Sequence, residues 1–193
     1  MGTNTPWPDA GDPLGEDASS LPLQQSSAEW KALLPRLEEA AKKTPSDAAA
    51  QRRLAMAYFN LGRLDEAETI YKKLLAGQEE ALVRNRLGNV YRAKGDLTQA
   101  EAAYRQAMKT EPTLPAPYLN LAELFWRQRR NQDALAMLTA GLAKVPAESR
   151  PPLEQAEKVI QASAGAGAPA DATSTATTRA AGTSPGSSTT TLP

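Results

Sequence analysis

The chain contains no cysteine and no histidine. Without cysteine there are no disulfides, no thiolate metal sites and no thiol nucleophile. Without histidine the commonest general base and the commonest metal ligand are missing. Residues 48–146 also lack serine. Thr69, Thr98, Thr110, Thr113 and Thr139 have no imidazole to activate them there, so a Ser-His-Asp or Cys-His arrangement is excluded. There is no glycine loop of the phosphate-cradling kind and no EF-hand loop. The acidic pairs Asp65-Glu66 and Glu79-Glu80 read as solvated helix ends, with acids in a first turn favoured by the helix dipole. The expectation is a protein that is not an enzyme and needs no cofactor and no metal.

Long apolar runs are missing too. No stretch reaches the roughly 18 residues a membrane span needs. Residues 1–26 hold neither Lys nor Arg and no apolar core, unlike a secretory signal. Met1-Gly2 is followed by Pro6 where a myristoylation motif needs Ser or Thr. Cytoplasmic residence is expected, or periplasmic or exported residence if an N-terminal signal or anchor has been removed. The absence of cysteine fixes neither.

Charge is balanced overall, with 22 basic and 22 acidic residues, but it is unevenly placed. Residues 1–26 carry Asp9, Asp12, Glu16 and Asp17 and no base, a balance of −4. Residues 48–146 carry 15 Lys/Arg against 10 Asp/Glu, a balance of +5. Such asymmetry bears on partners rather than on fold.

Composition divides the chain. Residues 1–26, with Pro6, Pro8, Pro13 and Pro22, read as a disordered acidic arm. Residues 27–162 have a helical pattern. Residues 163–193 are low-complexity, with 13 Ser or Thr and 8 Ala among 31, and have little to bury.

The helical part repeats. Leu54, Tyr58, Gly62, Leu64, Ala67 and Tyr71 recur 33 residues later as Leu87, Tyr91, Gly95, Leu97, Ala100 and Tyr104. A weaker copy follows 34 residues on: Leu121, Phe125, Arg129, Asn131, Ala134 and Leu138. Each copy has two apolar stripes at spacings of three and four, hence two helices. Gly62 and Gly95 stand between the stripes, where a chain leaving a helix often turns left-handed. Pro112 and Pro146 close the second and third copies, because proline cannot continue a helix interior. Gly77 closes the first.

A helix–turn–helix unit of about 34 residues with this pattern resembles the tetratricopeptide repeat (TPR) family. The best match is 81–114, with Leu87-Gly88, Tyr91, Gly95, Ala100, Tyr104, Ala107 and Pro112. The copy at 48–80 has Leu54-Ala55, Tyr58, Gly62, Ala67 and Tyr71. That at 115–148 has Tyr118, Leu121-Ala122, Phe125, Ala134 and Pro146, and departs from the pattern at Arg129, Leu138 and Gly141. Residues 27–47 look like an N-terminal half-repeat carrying Trp30, Leu33, Leu34 and Leu37. Pro35 inside it is expected to kink or split the segment. Residues 149–162 look like a C-terminal capping helix, with Leu153, Ala156, Val159 and Ile160. The resemblance implies an all-α solenoid of seven or eight helices in a short right-handed superhelix.

It also implies a site. In this family the first helix of each repeat lines a concave groove. The corresponding residues are Arg52, Met56, Phe59 and Asn60; then Asn85, Arg86, Asn89 and Arg92; then Leu119, Asn120, Glu123, Trp126 and Arg127. Asn amides suit an extended peptide backbone, and Arg forks suit carboxylates. The bland reading is an ordinary solvated helix face. Some family co-chaperones grip a C-terminal carboxylate with a Lys-Asn-Asn-Lys-Arg set. The matching positions here are Arg52, Met56, Arg86, Ala116 and Asn120, and only Arg52 keeps the charge, so that ligand is not expected. The expected partner is another protein, presenting an extended or acidic segment to a non-catalytic adaptor, scaffold or assembly factor. The alternative is a permanent structural subunit, or self-association with tails packed on neighbours. The arm at 1–26, with Trp7 between Pro6 and Pro8, is a candidate ligand for the same groove. Nucleic-acid binding is not expected, because no base-reading pattern is present.

Overall fold

The computed structural model describes residues 26–165, with side chains to Ser163. The acidic arm up to residue 25 and the tail from residue 166 lie outside the described residues. Eight α-helices follow one another: α1 (Ser27–Lys43), α2 (Ala48–Asn60), α3 (Leu64–Gly77), α4 (Ala81–Lys94), α5 (Leu97–Thr110), α6 (Pro115–Arg127), α7 (Asn131–Leu142) and α8 (Pro151–Gly165). No strand occurs among the described residues.

Local chemistry sets most boundaries. Ser26 and Glu29 form a capping box: the Ser26 Oγ accepts from the Glu29 N–H (3.3 Å), and the Glu29 carboxylate accepts from the Ser26 N–H (2.5 Å). Asp47 and Asp96 cap α2 and α5 by accepting from backbone N–H groups two or three residues further on. Pro115 opens α6, where its missing N–H costs nothing. Asp65 and Glu66 sit in the first turn of α3.

α1 does not split at Pro35; it runs unbroken from Ser27 to Lys43. Proline removes one backbone hydrogen bond, but Trp30 and Ala41 bury the two halves on either side. Their packing holds the segment as one helix against α2. Likewise the C-terminal helix covers Pro151–Gly165 rather than 149–162, because a short 3-10 turn at Ala147–Ser149 precedes it.

The three repeat turns share one bonding pattern. After α2 the Gly62 N–H donates to the Phe59 C=O and the Arg63 N–H to the Tyr58 C=O. Gly95 and Asp96 repeat this on Arg92 and Tyr91, and Arg129 and Arg130 on Trp126 and Phe125. The residue with positive φ is Gly62 (75°), Gly95 (83°) and Arg129 (63°). Arg129 therefore keeps the left-handed turn that glycine makes in the other copies.

Packing repeats with the same period. Ala67, Ala100 and Ala134 are fully buried, as are Tyr104 and Leu138, and Tyr71 is 1% exposed. A Cβ on Gly88 would come 2.6 Å from Tyr104 Cε1, so the bare backbone of α4 makes room for the α5 ring. Consecutive helices pack pairwise from α1 to α8. α4 also touches α6, and α6 touches α8, whereas α3, α5 and α7 hardly touch one another. The closer row of α4, α6 and α8 forms the inner side of the stack, and the repeat register, which makes α2 the first helix of its repeat, puts α2 at its start. Leu153, Ala156 and Ile160 of α8 close the far end, fully buried with Leu138 and Val145.

Candidate functional site: the inner helix row

Arg52, Met56 and Phe59 stand on α2, Asn85, Arg86, Asn89 and Arg92 on α4, and Asn120, Glu123, Trp126 and Arg127 on α6. Much of this set is engaged within the protein. Asn120 Nδ2 donates to Asn85 Oδ1 at 2.9 Å, and Asn85 is only 3% exposed. Glu123, 8% exposed, receives Arg92 from α4 on one side. On the other it receives Arg127 from its own helix, with Nε at 2.8 Å. Arg52 reaches Glu80 at 3.0 Å, just before α4. Asn89 Oδ1 accepts from the Tyr104 hydroxyl at 2.7 Å, and burial pushes that phenol well above its ordinary pKa, so it stays a donor.

The polar residues of this face thus do two things. They tie each repeat to the next across the seam, and they hold guanidinium groups in a fixed array. Two arginines share the single carboxylate of Glu123, leaving one positive charge in excess. Arg127 is the more open of the pair, with its side chain 62% exposed against 29% for Arg92.

Other residues assigned to the groove from sequence have different surroundings. Leu119 is 1% exposed and belongs to the core, so it lines no groove. Phe59 packs on the core between the first two repeats. Trp126 packs on the core of the third, and its Nε1 donates to Ser163 Oγ of α8 at 3.3 Å. Asn60 is exposed, with its amide turned back to the Met56 C=O at 2.8 Å. Met56 and Arg86 are half-buried.

Sequence reasoning missed the cross-seam partners. Its signal was present: Arg92 and Glu123 are 31 residues apart and Asn85 and Asn120 are 35 apart, each close to one repeat length. It also missed a cleft of about 610 Å³ between α1, α2 and α3, lined by Leu54, Tyr58 and Ile70 with Glu38, Asp65 and Glu66.

Two family models match, one described as "Tetratricopeptide repeat" over residues 31–85 and one as "TPR repeat" over residues 88–128. The chain belongs to the tetratricopeptide-repeat family. A solved structure of a thermophilic TPR protein from Thermus thermophilus is similar at 25% identity with a TM-score of 0.59. The match covers 72% of this chain and 76% of that one. No curated protein sequence matches. TPR modules are typically non-catalytic and generally mediate protein–protein contact or scaffolding. Among the described residues no helix is long and apolar enough to cross a membrane, and no acidic cluster is placed to hold a metal ion.

Proposed function

We propose that this TPR protein is a non-catalytic adaptor, scaffold or assembly factor whose inner helix row takes an extended, acidic segment of another protein. One observation carries the reading: charge is sorted by helix row. α2, α4 and α6 hold seven Lys/Arg against the single acid Glu123. Of these, Arg52, Arg84 and Lys94 are paired with Glu80, Glu79 and the α3 acids Asp65 and Glu68, while Arg92 and Arg127 share Glu123 and leave one positive charge in excess. α3, α5 and α7 hold four against five. An acidic segment is drawn to the first row and not to the second. Arg forks such as those of Arg92 and Arg127 can grip its carboxylates in paired hydrogen bonds.

The test compares two baits in a lysate of the source organism: the intact chain and a chain carrying Arg86→Gln and Arg127→Gln. Gln keeps length and hydrogen bonding while removing charge. Asn89 and Asn120 are left alone, because they bond Tyr104 and Asn85. A partner held by the first bait and lost by the second is the expected result. A partner held equally by both would move the site to the outer face or the tails, and would make a permanent structural subunit the better account.

A further inference from the structure

We propose that the inner helix row is also the docking surface for residues 1–25 of the same chain, which a partner must displace. This rests on the reading of that row as a binding face. The segment carries Asp9, Asp12, Glu16 and Asp17 with no Lys or Arg. On the row opposite, Arg92 and Arg127 share the one carboxylate of Glu123, which leaves a net positive charge there, with Arg127 the more open of the two. The segment at the other end is no competitor: residues 166–193 contain one acid, Asp171, and one base, Arg179.

Reach is ample. The segment joins the stack at Ser26, the N-cap of α1, beside α2. Twenty-five extended residues span up to about 80 Å. Helices packed 8–10 Å apart put α2 and α6 roughly 20 Å from each other across α4. Tethering supplies an effective concentration on the order of mM, so even weak contacts become populated. Trp7 offers a large aromatic anchor, and Pro6 and Pro8 reduce the conformational freedom lost on docking. Docked in this way, the acids lie on Arg86 and on the Arg92–Glu123–Arg127 cluster, the groups a partner's acids would need.

The absence of cysteine gives a clean test. Ala10→Cys in the full chain places one nitroxide label in the arm, and relaxation of backbone amides reports what it approaches. Selective loss of signal is expected at Arg86, Asn89, Asn120 and Arg127, with the outer faces of α3, α5 and α7 spared. The loss should disappear in a chain also carrying Asp9→Asn, Asp12→Asn, Glu16→Gln and Asp17→Asn. It should disappear too near 1 M salt, where the screening length is about 3 Å. No selective loss, or loss that survives neutralisation of the four acids, overturns the proposal. So does equal loss when labelled chain is mixed with isotope-enriched, unlabelled chain, because the arm then docks on a second copy. The arm-neutralised chain, used as a lysate bait, should capture more of the partner. If the arm shows no docking while Arg86→Gln with Arg127→Gln still loses the partner, arm docking fails and the inner-row reading stands. If the arm docks but the partner is held equally by both baits, the reading of the row as the partner's site fails instead.

Discussion

Arg129 occupies a backbone position that the two earlier repeats give to glycine. Its φ of 63° is left-handed, and its turn makes the same two backbone bonds as those at Gly62 and Gly95. For an L-residue that region costs roughly 1–2 kcal/mol. The arginine is held there because the helices on either side are fixed by Phe125, Ala134 and Leu138, all buried. Arg129→Gly should therefore raise stability by roughly 0.5–1 kcal/mol, read as a higher urea or thermal midpoint. Gly95→Ala, at φ 83°, should lower it. An unchanged or lowered midpoint for Arg129→Gly would mean that the exposed side chain contributes something the turn geometry does not show.

The turns at Gly62 and Gly95 were legible from sequence, because glycine announces a left-handed residue. The turn at Arg129 was legible only through register. The inner polar residues were placed on the right helices but misjudged in state. An asparagine or glutamate in a repeat does not say whether it faces water or a residue one repeat away. Asn85 and Glu123 face such residues and are buried.

At the scale of helices, charge pairs add to the apolar contact between neighbours, as where Ala67 and Tyr71 of α3 meet Val83, Leu87 and Val90 of α4. Lys94 at the end of α4 donates to Asp65 (2.7 Å) and Glu68 (2.5 Å) of α3, which hold its ammonium well above the ordinary lysine range. Lys72, and then Lys94, hold the Glu68 carboxyl below its usual value. A depressed acid contributes stability that is complete above its unfolded pKa of about 4.3 and is lost as pH falls through the folded value. Glu68→Gln should thus weaken the α3–α4 join at neutral pH, and its difference from the parent should begin to shrink as pH falls below about 4.3 and vanish once the pH is below the lowered folded value. Urea midpoints measured between pH 7 and about pH 3 check this. A difference that stays constant through the range would exclude the carboxylate as its cause. Pro35 shows the limit of element-level reading: the local rule for proline is sound, but burial of Trp30 and Ala41 overrides it.

At the scale of the molecule, two large core clusters and a smaller one of Ala81, Ala107 and Leu114 line the stack, and Tyr91 packs against both large ones. A repeat array of this sort is held by contacts between neighbours rather than by a single centre. Order and number of helices follow directly from a period near 34, so the architecture was the most legible feature of the sequence. The sorting of charge between the two helix rows was less so, because it emerges only once helices are assigned to an inner and an outer side. The central claim is that this sorting selects an acidic segment for the inner row. The most direct measurement is an amide chemical-shift titration of the arm-neutralised chain with an extended peptide rich in Asp and Glu, and with a Lys-rich peptide of equal length. The account predicts salt-sensitive shifts at Arg86, Asn89, Arg92, Asn120 and Arg127 for the acidic peptide, and none for the basic one. Shifts centred instead on Leu54, Tyr58 and Ile70 in the cleft between α1, α2 and α3, or equal responses to both peptides, would contradict it.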